Sequence, residues 1–387
     1  MNYVCLSPNF PPNYVNFYLR LRERGANVLG IDSVPYEQLS PELRASLTEY
    51  YRVDDLENYE ELYHACGYFI HKYGRLHRVE SHSEYWLDRD AMLRTDFNVF
   101  GFKNDDLLDV RYKSRMKEVF RSIGIPVAKG KVVRTPEEAR KLIEETGYPV
   151  CVKPDCGVGA SSTYKLHSDE ELRFFFSTKP SGDFIMEEFL DGRIETFDGL
   201  ADRNGKVLLM NTFVLDYGIM EMVNYELDTL HYTLRDIPED LVEYGSRIVK
   251  AFGLKERFFH IEFFRTSSGL VALEINARPP GGWCIDMLNY ANDADVYDQY
   301  ARLLMDGRIT MLFERPYHVF YAGLKEREHI LRSHTREDVL RRYGHLIVQH
   351  GPIAPIFSAA MGDYAYLLRS PDLEPLKEAV AYISERV

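Results

Sequence analysis

The amino-acid sequence predicts a chain of mixed α/β and α+β class, in which a doubly wound N-terminal domain precedes antiparallel sheets. Three observations predict this class: a β-α-β opening in residues 3–32, tight turns between strands in residues 183–216, and a hairpin in residues 257–276. Strands that alternate with helices are typical of parallel sheets, whereas short turns between strands are typical of antiparallel sheets.

Two glutamates face each other in the predicted hairpin. Its β-rich runs, residues 258–265 and 270–276, flank the turn sequence Thr-Ser-Ser-Gly. If the turn is residues 267–269, Thr266 pairs with Leu270 and Glu262 lies directly opposite Glu274. A turn one residue shorter or longer would put the two acids on opposite faces, so the pairing depends on the register.

Opposed carboxylates repel each other unless a cation lies between them. Asn276 shares their face because it follows Glu274 by two residues, and the three side chains offer an all-oxygen ligand set suited to Mg²⁺ or Mn²⁺. Arg278 continues this face, and Pro279 to Gly282 end the strand and open a loop. The alternative interpretation is a hairpin whose two acids are solvated on a polar face.

The composition excludes several classes of function. The net charge of −13 argues against general affinity for nucleic acid or anionic membranes. The sequence has neither a signal-peptide pattern nor a membrane-length apolar run, so we expect a cytoplasmic protein. Its five cysteines are scattered and are expected to be reduced thiols. Common zinc-protease, serine-hydrolase and phosphate-loop motifs are missing from the sequence.

The N-terminal domain is predicted to fill residues 1–108. Its strands are expected at residues 3–7, 27–32, near 52–53 and at 76–80, and its helices at residues 13–24, 56–73 and 84–94. Doubly wound sheets bind ligands at the carboxyl ends of their strands, which here would include the loop at residues 7–13. That loop lacks a dinucleotide fingerprint.

The central region carries a glycine- and serine-rich loop after a strand. A helix is predicted to begin at Thr135 and end at Gly147, and the strand that follows, residues 148–154, carries Lys153. The loop at residues 155–162 can present backbone N–H groups to a phosphate, although a flexible hairpin tip gives the same pattern. Three acids follow on the next strands, and each taken alone is more often a surface charge than a ligand: Glu187, Glu188 and Glu195.

Taken in order, these motifs resemble the ATP-grasp superfamily, and in particular its carboxylate–amine ligases. The series comprises Lys113, Lys153, the loop at 157–162, residues 187–190, and Glu262 followed by Glu274-x-Asn276-x-Arg278. The resemblance implies a pre-ATP-grasp domain at 1–108, a small subdomain at 109–190 and a large subdomain at 191–316. Residues 317–387 are expected to form a small α+β appendage.

The resemblance also implies a role for each of these residues. Lys113 and Lys153 would hold the phosphates of ATP, although Arg111 is an alternative to Lys113. Glu262, Glu274 and Asn276 would hold magnesium, and Arg278 would be catalytic by neutralising the transferred phosphoryl group. The remaining nucleotide contacts would come from Gly157, Gly159, Ala160, Ser161 and Ser162 around the phosphates, from Glu187, Glu188 and Leu190 at the adenine, and from Glu195 at the ribose.

The implied function is an ADP-forming ligase that activates a small carboxylate as an acyl phosphate and joins it to an amine. The alternatives are a purine-pathway carboxylate ligase and a catalytically inactive ATP-binding scaffold. A homodimer is one assembly that the protein could form. Glu188 departs from the family pattern, which often has lysine there. The substrate pocket is expected to involve the N-terminal domain, residues 217–236 and the loop at 279–292, with Tyr217, Met220, Met222 and Tyr225 as apolar candidates.

Overall fold

A parallel four-stranded sheet occupies the N-terminal region. The computed structural model describes residues 1–157, 162–215, 218, 222 and 225–387. The strand order is β3-β2-β1-β4, which reverses direction at β1. The strands are β1 (Asn2–Leu6), β2 (Asn27–Asp32), β3 (Glu49–Arg52) and β4 (Arg78–Glu80), and the helices are α1 (Val15–Glu23), α2 (Pro41–Ser46), α3 (Tyr59–Tyr73) and α4 (Leu87–Asp96).

Alternate residues of β1 belong to two different hydrophobic clusters. Tyr3 packs with Phe17 of α1, whereas Val4 packs with Leu62 and Phe69 of α3. Both faces of the sheet are therefore covered, which explains why β1 reads as a continuous buried run. The doubly wound arrangement predicted from the sequence is confirmed.

An antiparallel four-stranded sheet forms the next layer, in the order β5-β8-β6-β7. Thr135 caps the helix that follows β5, where its hydroxyl accepts from the backbone N–H of Glu138 (3.2 Å). The strands are β5 (Gly130–Val133), β6 (Val150–Pro154), β7 (Tyr164–Leu166) and β8 (Phe184–Glu188); the helices are α5 (Asn104–Arg111) and α6 (Lys113–Ser122) before the sheet, and α7 (Pro136–Thr146) and α8 (Asp169–Thr178) packed on it.

A large antiparallel sheet contains the remaining strands, in the order β14-β13-β9-β11-β12-β15-β17-β16, with β10 paired to β9. Its strands are β9 (Arg193–Ala201), β10 (Val207–Asn211), β11 (Phe213–Leu215), β12 (Thr229–Thr233), β13 (Arg257–Thr266), β14 (Gly269–Asn276), β15 (His318–Leu324), β16 (Ile347–Pro352) and β17 (Tyr364–Ser370). The helices of this region are α9 (Glu239–Ala251), α10 (Cys284–Asn292), α11 (Val296–Asp306), α12 (Arg336–Tyr343), α13 (Ser358–Met361) and α14 (Glu374–Ser384).

The C-terminal segment is built into this sheet. β15 pairs with β12, so residues 318–370 extend the large sheet rather than form one of their own. The segment contains helices and strands, as predicted. The boundaries of the four domains that were predicted from the sequence stay predictions. None of the helices in the described part of the chain has the length and apolar character needed to cross a bilayer.

The hairpin of β13 and β14 has the predicted pairing of acids but a different turn. Thr266 pairs with Gly269, so the turn has two residues rather than three, and this register alone would place Glu262 opposite Leu273. A bulge at Leu273 corrects the register, because Phe263 pairs with Ala272 while Glu262 pairs with Glu274. The predicted turn was therefore wrong, and the bulge restores the opposition of the two glutamates.

Candidate functional site

A cavity of about 1120 Å³ lies between the small sheet and one face of the large sheet. Lysines and acids line one end of it, and apolar side chains line the other. Of the predicted site residues, those that line it are Lys113, Lys153, Gly157, Ser162, Glu187, Glu188, Leu190, Glu262, Glu274 and Arg278.

Two buried lysines share one buried glutamate at the charged end. Glu187 on β8 pairs with Lys153 on β6 (3.0 Å) and with Lys117 on α6 (2.6 Å). Burial alone would raise the pKa of Glu187, but the two ammonium charges lower it to about 2. Burial lowers the pKa of Lys117, whereas the pKa of Lys153 is raised against its burial by the charge of Glu187. The cluster carries one more positive than negative charge, which suits it to an anionic ligand.

Lys117 was missed from the sequence, although a signal for it existed. Lys113 and Lys117 are four residues apart on α6 and therefore lie on the same face of the helix. The Nζ of Lys113 lies 3.8 Å from an oxygen of Glu274 and donates to the carbonyl of Gly157 (3.2 Å). Arg111 pairs instead with Asp88 (3.2 Å), with 38% of its side chain exposed. Lys113 is therefore the better candidate of the two for a phosphate contact.

The predicted phosphate loop is only partly described. Gly157 and Ser162 line the cavity at the two ends of the loop. Gly159, Ala160 and Ser161 lie outside the described residues. Their predicted contact with phosphate stays a prediction.

Glu188 is held by the backbone of the neighbouring strand. Its carboxylate accepts from the N–H of Lys129 (2.8 Å), and its own N–H donates to the carbonyl of Lys129 (2.9 Å). This pairing explains why the position tolerates an acid where the family often has lysine, since the side chain closes the strand pair. Leu190 lies two residues further along the cavity wall.

Glu195 lies on the wrong face of β9 for the predicted ribose contact. Successive residues of a strand point to opposite faces, and the two neighbours that line the cavity are Ile194 and Thr196. The fully buried carboxylate of Glu195 pairs instead with Arg193 (2.6 Å) and Arg265 (2.8 Å). The structure therefore removes Glu195 from the candidate nucleotide site.

The opposed glutamates form the wall next to the lysines. Burial raises the pKa of Glu274, but Lys113 and Lys153 outweigh that effect and lower it. Asn276 is buried, and its amide nitrogen can donate to both oxygens of Glu84 (3.1 and 2.7 Å), which leaves the amide oxygen for a cation. No three His, Cys, Asp or Glu side chains in the described part of the chain are grouped as a metal site. Two carboxylates and an amide fit Mg²⁺, which usually takes its other ligands from phosphate and water.

His260 contacts both Glu262 and a buried aspartate. Its Nε2 lies 3.1 Å from Glu262, and its Nδ1 lies 2.5 Å from the fully buried Asp198. Burial lowers the pKa of His260, but the two carboxylates raise it to about 10. The imidazolium therefore orients Glu262 and adds positive charge to this wall. His260 precedes Glu262 by two residues, so the strand period places both on one face.

Arg278 lies where the N-terminal domain meets the hairpin. Its guanidinium pairs with Glu84 (3.1 Å) and donates to the carbonyl of Pro279 (3.0 Å). Burial raises the pKa of Glu84, and Arg278 acts in the opposite direction. Glu84 follows the last strand of the N-terminal sheet and carries no motif of its own, which is why the sequence did not reveal it.

The apolar end coincides only in part with the predicted substrate pocket. Met222 lines it as expected, but Tyr225 is 70% exposed, and Tyr217 and Met220 lie outside the described residues. Strand β12 and helix α10 line it within the predicted ranges, through Thr229, His231 and Cys284. The lining that was not predicted comes from β11 and from residues 357–361, and it comprises Phe213, Leu215, Phe357, Ala360 and Met361.

Comparisons with known proteins agree with this geometry. Residues 146–287 match the family model of the ATP-grasp domain. The carbamoyl phosphate synthase large chain of Agathobacter rectalis is 24% identical over 229 residues, which are 56% of this chain and 20% of that protein. The matched part spans only 20–38% of the lengths of three curated relatives.

Solved structures resemble the whole chain. The L-amino acid ligase from Bacillus licheniformis superposes with a TM-score of 0.74 at 14% identity, over 99% of this chain and 95% of that one. The biotin carboxylase domain of Hydrogenobacter thermophilus 2-oxoglutarate carboxylase, in complex with MgADP, ADP and bicarbonate, gives 0.69 at 17% identity, over 96% and 87%. Residues 146–287 therefore belong to the ATP-grasp family, and the chain as a whole has the fold of these L-amino acid ligase and biotin carboxylase structures.

Proposed function

We propose that this protein is an ATP-dependent, ADP-forming ligase that activates a small carboxylate as an acyl phosphate and transfers the acyl group to an amine. The observation that carries the proposal is the convergence of three lysines, two opposed glutamates and Arg278 on one cavity. Joining a phosphate to a carboxylate brings two anions together, so the site needs cations more than it needs a nucleophile.

The residues fit a magnesium–nucleotide complex. Lys113, Lys117 and Lys153 would bind the phosphates, and Glu187 pairs with two of these lysines in the absence of a ligand. Glu262, Glu274 and Asn276 would hold magnesium, which when bound supplies Lewis-acid stabilisation of the phosphoryl oxygens. Manganese has the same ligand preference and is an alternative occupant.

Arg278 is the proposed catalytic residue. In the first step, a carboxylate oxygen bonds to the γ-phosphorus while the bond to the β-phosphate oxygen breaks and ADP leaves. In the second step, the amine nitrogen bonds to the acyl carbon, phosphate leaves, and the amine gives up one proton. Arg278 faces the cavity beside the hairpin acids, where it can neutralise the transferred phosphoryl group and then the leaving phosphate.

The overall likeness to an L-amino acid ligase supports amide-bond formation as the outcome. A purine-pathway carboxylate ligase uses the same first step and is the second candidate. Cytoplasmic location and a homodimer stay predictions.

The test is ADP release from ATP with pooled amino acids and other carboxylates, in wild type and three variants. Lys153→Ala should weaken ATP binding strongly, because it removes a buried phosphate ligand. Glu274→Gln should raise the magnesium requirement. Arg278→Ala should leave ATP affinity nearly intact and lower kcat by about 10²–10³, as loss of one electrostatic stabiliser does.

Arg111→Ala is the matched control, since Arg111 lies on α5 beside the site but pairs with Asp88. It should behave as wild type in all three measurements. ATP binding without ADP release under any condition would instead indicate the inactive scaffold. Normal turnover by Arg278→Ala would contradict the acyl-phosphate assignment.

A further inference from the structure

The cavity continues beyond the hairpin across one face of the large sheet. The strands that line it are consecutive in the sheet, in the order β13, β9, β11 and β12. Glu262 on β13 pairs with Thr196 on β9, and Leu215 on β11 pairs with His231 on β12. Three strand spacings separate β13 from β12, which is about 14 Å. The cavity is therefore long enough for a ligand whose reacting carboxylate lies at Arg278 and whose side chain points towards β12.

Residues 355–361 close the far end of this space. They lie over β15, where Gly323 permits the approach, because a Cβ there would come within 2.0 Å of the carbonyl oxygen of Met361. Two side chains of the sheet and one that directly follows β15 hold the segment through its backbone carbonyls: Thr229 donates to Ala360 (2.8 Å), Tyr321 to Met361 (2.7 Å) and Lys325 to Ser358 (2.7 Å). Met361 and Phe357 from this segment face the cavity and form its end wall.

The described lining of the far end is mostly apolar and carries no charge. Among the described residues that line the cavity on β11, β12, α10 and the end wall, none carries a charge. His231 is 5% exposed and stacks on Tyr321, with ring centroids 4.7 Å apart. Burial lowers the pKa of His231 to about 3, so the ring is neutral at physiological pH. Its Nδ1 is buried and has no hydrogen-bond partner among the described residues.

We propose that this end is the side-chain pocket for the acyl substrate, that it selects carboxylates with a compact, uncharged apolar or aromatic side chain, and that the end wall of Phe357 and Met361 limits the length of that side chain. The proposal rests on the proposed ligase function for the position of the reacting carboxylate. A charged side chain here would lose its hydration without gaining a partner among the described lining residues, which is strongly unfavourable.

The first arm of the test measures binding to the wild-type chain, so it does not depend on turnover. Calorimetric titrations in the presence of magnesium and a non-hydrolysable ATP analogue compare leucine, methionine and phenylalanine with aspartate, glutamate and lysine. The apolar group should bind at least about 100-fold more tightly. Preference for any charged side chain, or no binding of any of the six, would overturn the proposal.

The second arm changes the end wall. Met361→Ala should shift the preference towards larger side chains, with tryptophan gaining about 10-fold over leucine in affinity. Met361→Leu keeps the volume and should retain the wild-type order. Ile356→Ala is the matched control, because Ile356 belongs to the same segment but is 73% exposed. An unchanged preference in a folded Met361→Ala protein would remove the end wall from the pocket.

The two proposals fail in different ways. If apolar carboxylates bind as expected but no ADP is released, the ligase function is wrong and the pocket stands. If ADP is released best with charged acids, the ligase function stands and the pocket assignment is wrong.

Discussion

Glu187 shows how single residues prepare the charged end for a ligand. It is 3% exposed and lies between the ammonium groups of Lys117 and Lys153. Without it, two buried like charges would face each other, which is among the more destabilising arrangements in a protein interior. Glu187 therefore stabilises the cavity in the absence of phosphate.

Glu187→Gln should lower the free energy of unfolding by about 3 kcal/mol at pH 7, as loss of one partner of a buried ion pair does. Because the folded-state pKa of Glu187 is lowered to about 2, its contribution is fully present above the unfolded value near 4.5 and is lost as pH falls towards 2. Urea unfolding of both proteins from pH 7 to pH 3 measures this. A difference that grew as the pH fell would contradict it.

Glu195 is expected to contribute to the stability of the fold but not to nucleotide binding. Glu195→Gln should destabilise the chain, since Arg193 and Arg265 lose a buried partner, yet change ATP affinity by less than about twofold. Calorimetric ATP titration with thermal melts checks both effects. A tenfold loss of ATP affinity in a folded variant would return Glu195 to the nucleotide site.

Residue types and spacing predicted much of the charged end but not its supporting partners. Lys153, Glu262 and Glu274 could be found because each belongs to a strand whose period fixes the direction of its side chain, and Arg278 because it follows the last of these strands by two residues. Glu84, far away in the sequence, could not be found, since its role depends on a domain contact that no local pattern encodes.

At the scale of elements, the hairpin shows the limit of register prediction. The sequence indicated that the two acids oppose each other, but it did not indicate the bulge at Leu273 that produces this pairing from a two-residue turn. A bulge leaves no hydrophobic signature of its own, because the extra residue looks like any other strand residue.

The end-wall segment is the element most open to an independent test. Lys325→Met removes the ammonium group that binds the carbonyls of Ser358 and Ala359, so amide exchange in residues 355–362 should rise about tenfold or more. Lys377→Met is the control, since its exposed ion pair with Glu374 lies on α14. Unchanged exchange would mean that other contacts hold the segment in place.

For the whole molecule, the cavity lies between parts that have separate cores. The small sheet has a hydrophobic cluster of its own, whereas Tyr3 and Phe17 of the N-terminal domain share one with Phe258 of the hairpin and Tyr321 of the large sheet. Lys153 and Glu187 therefore belong to a different body from the hairpin acids Glu262 and Glu274, and a nucleotide bound as proposed would join the two bodies. The sequence predicted the order of these parts along the chain, but the return of residues 355–361 to the cavity depends on contacts across the sheet.

The most direct test of the central claim follows oxygen from the acid to the phosphate. A carboxylate labelled with ¹⁸O in both oxygens, chosen as the best substrate in the ADP-release assay, is incubated with the protein, MgATP and the responsive amine. Activation as an acyl phosphate predicts ADP as the nucleotide product and one ¹⁸O atom in each phosphate released, detected by mass spectrometry. Unlabelled phosphate, or AMP and pyrophosphate as products, would contradict the mechanism proposed for this site.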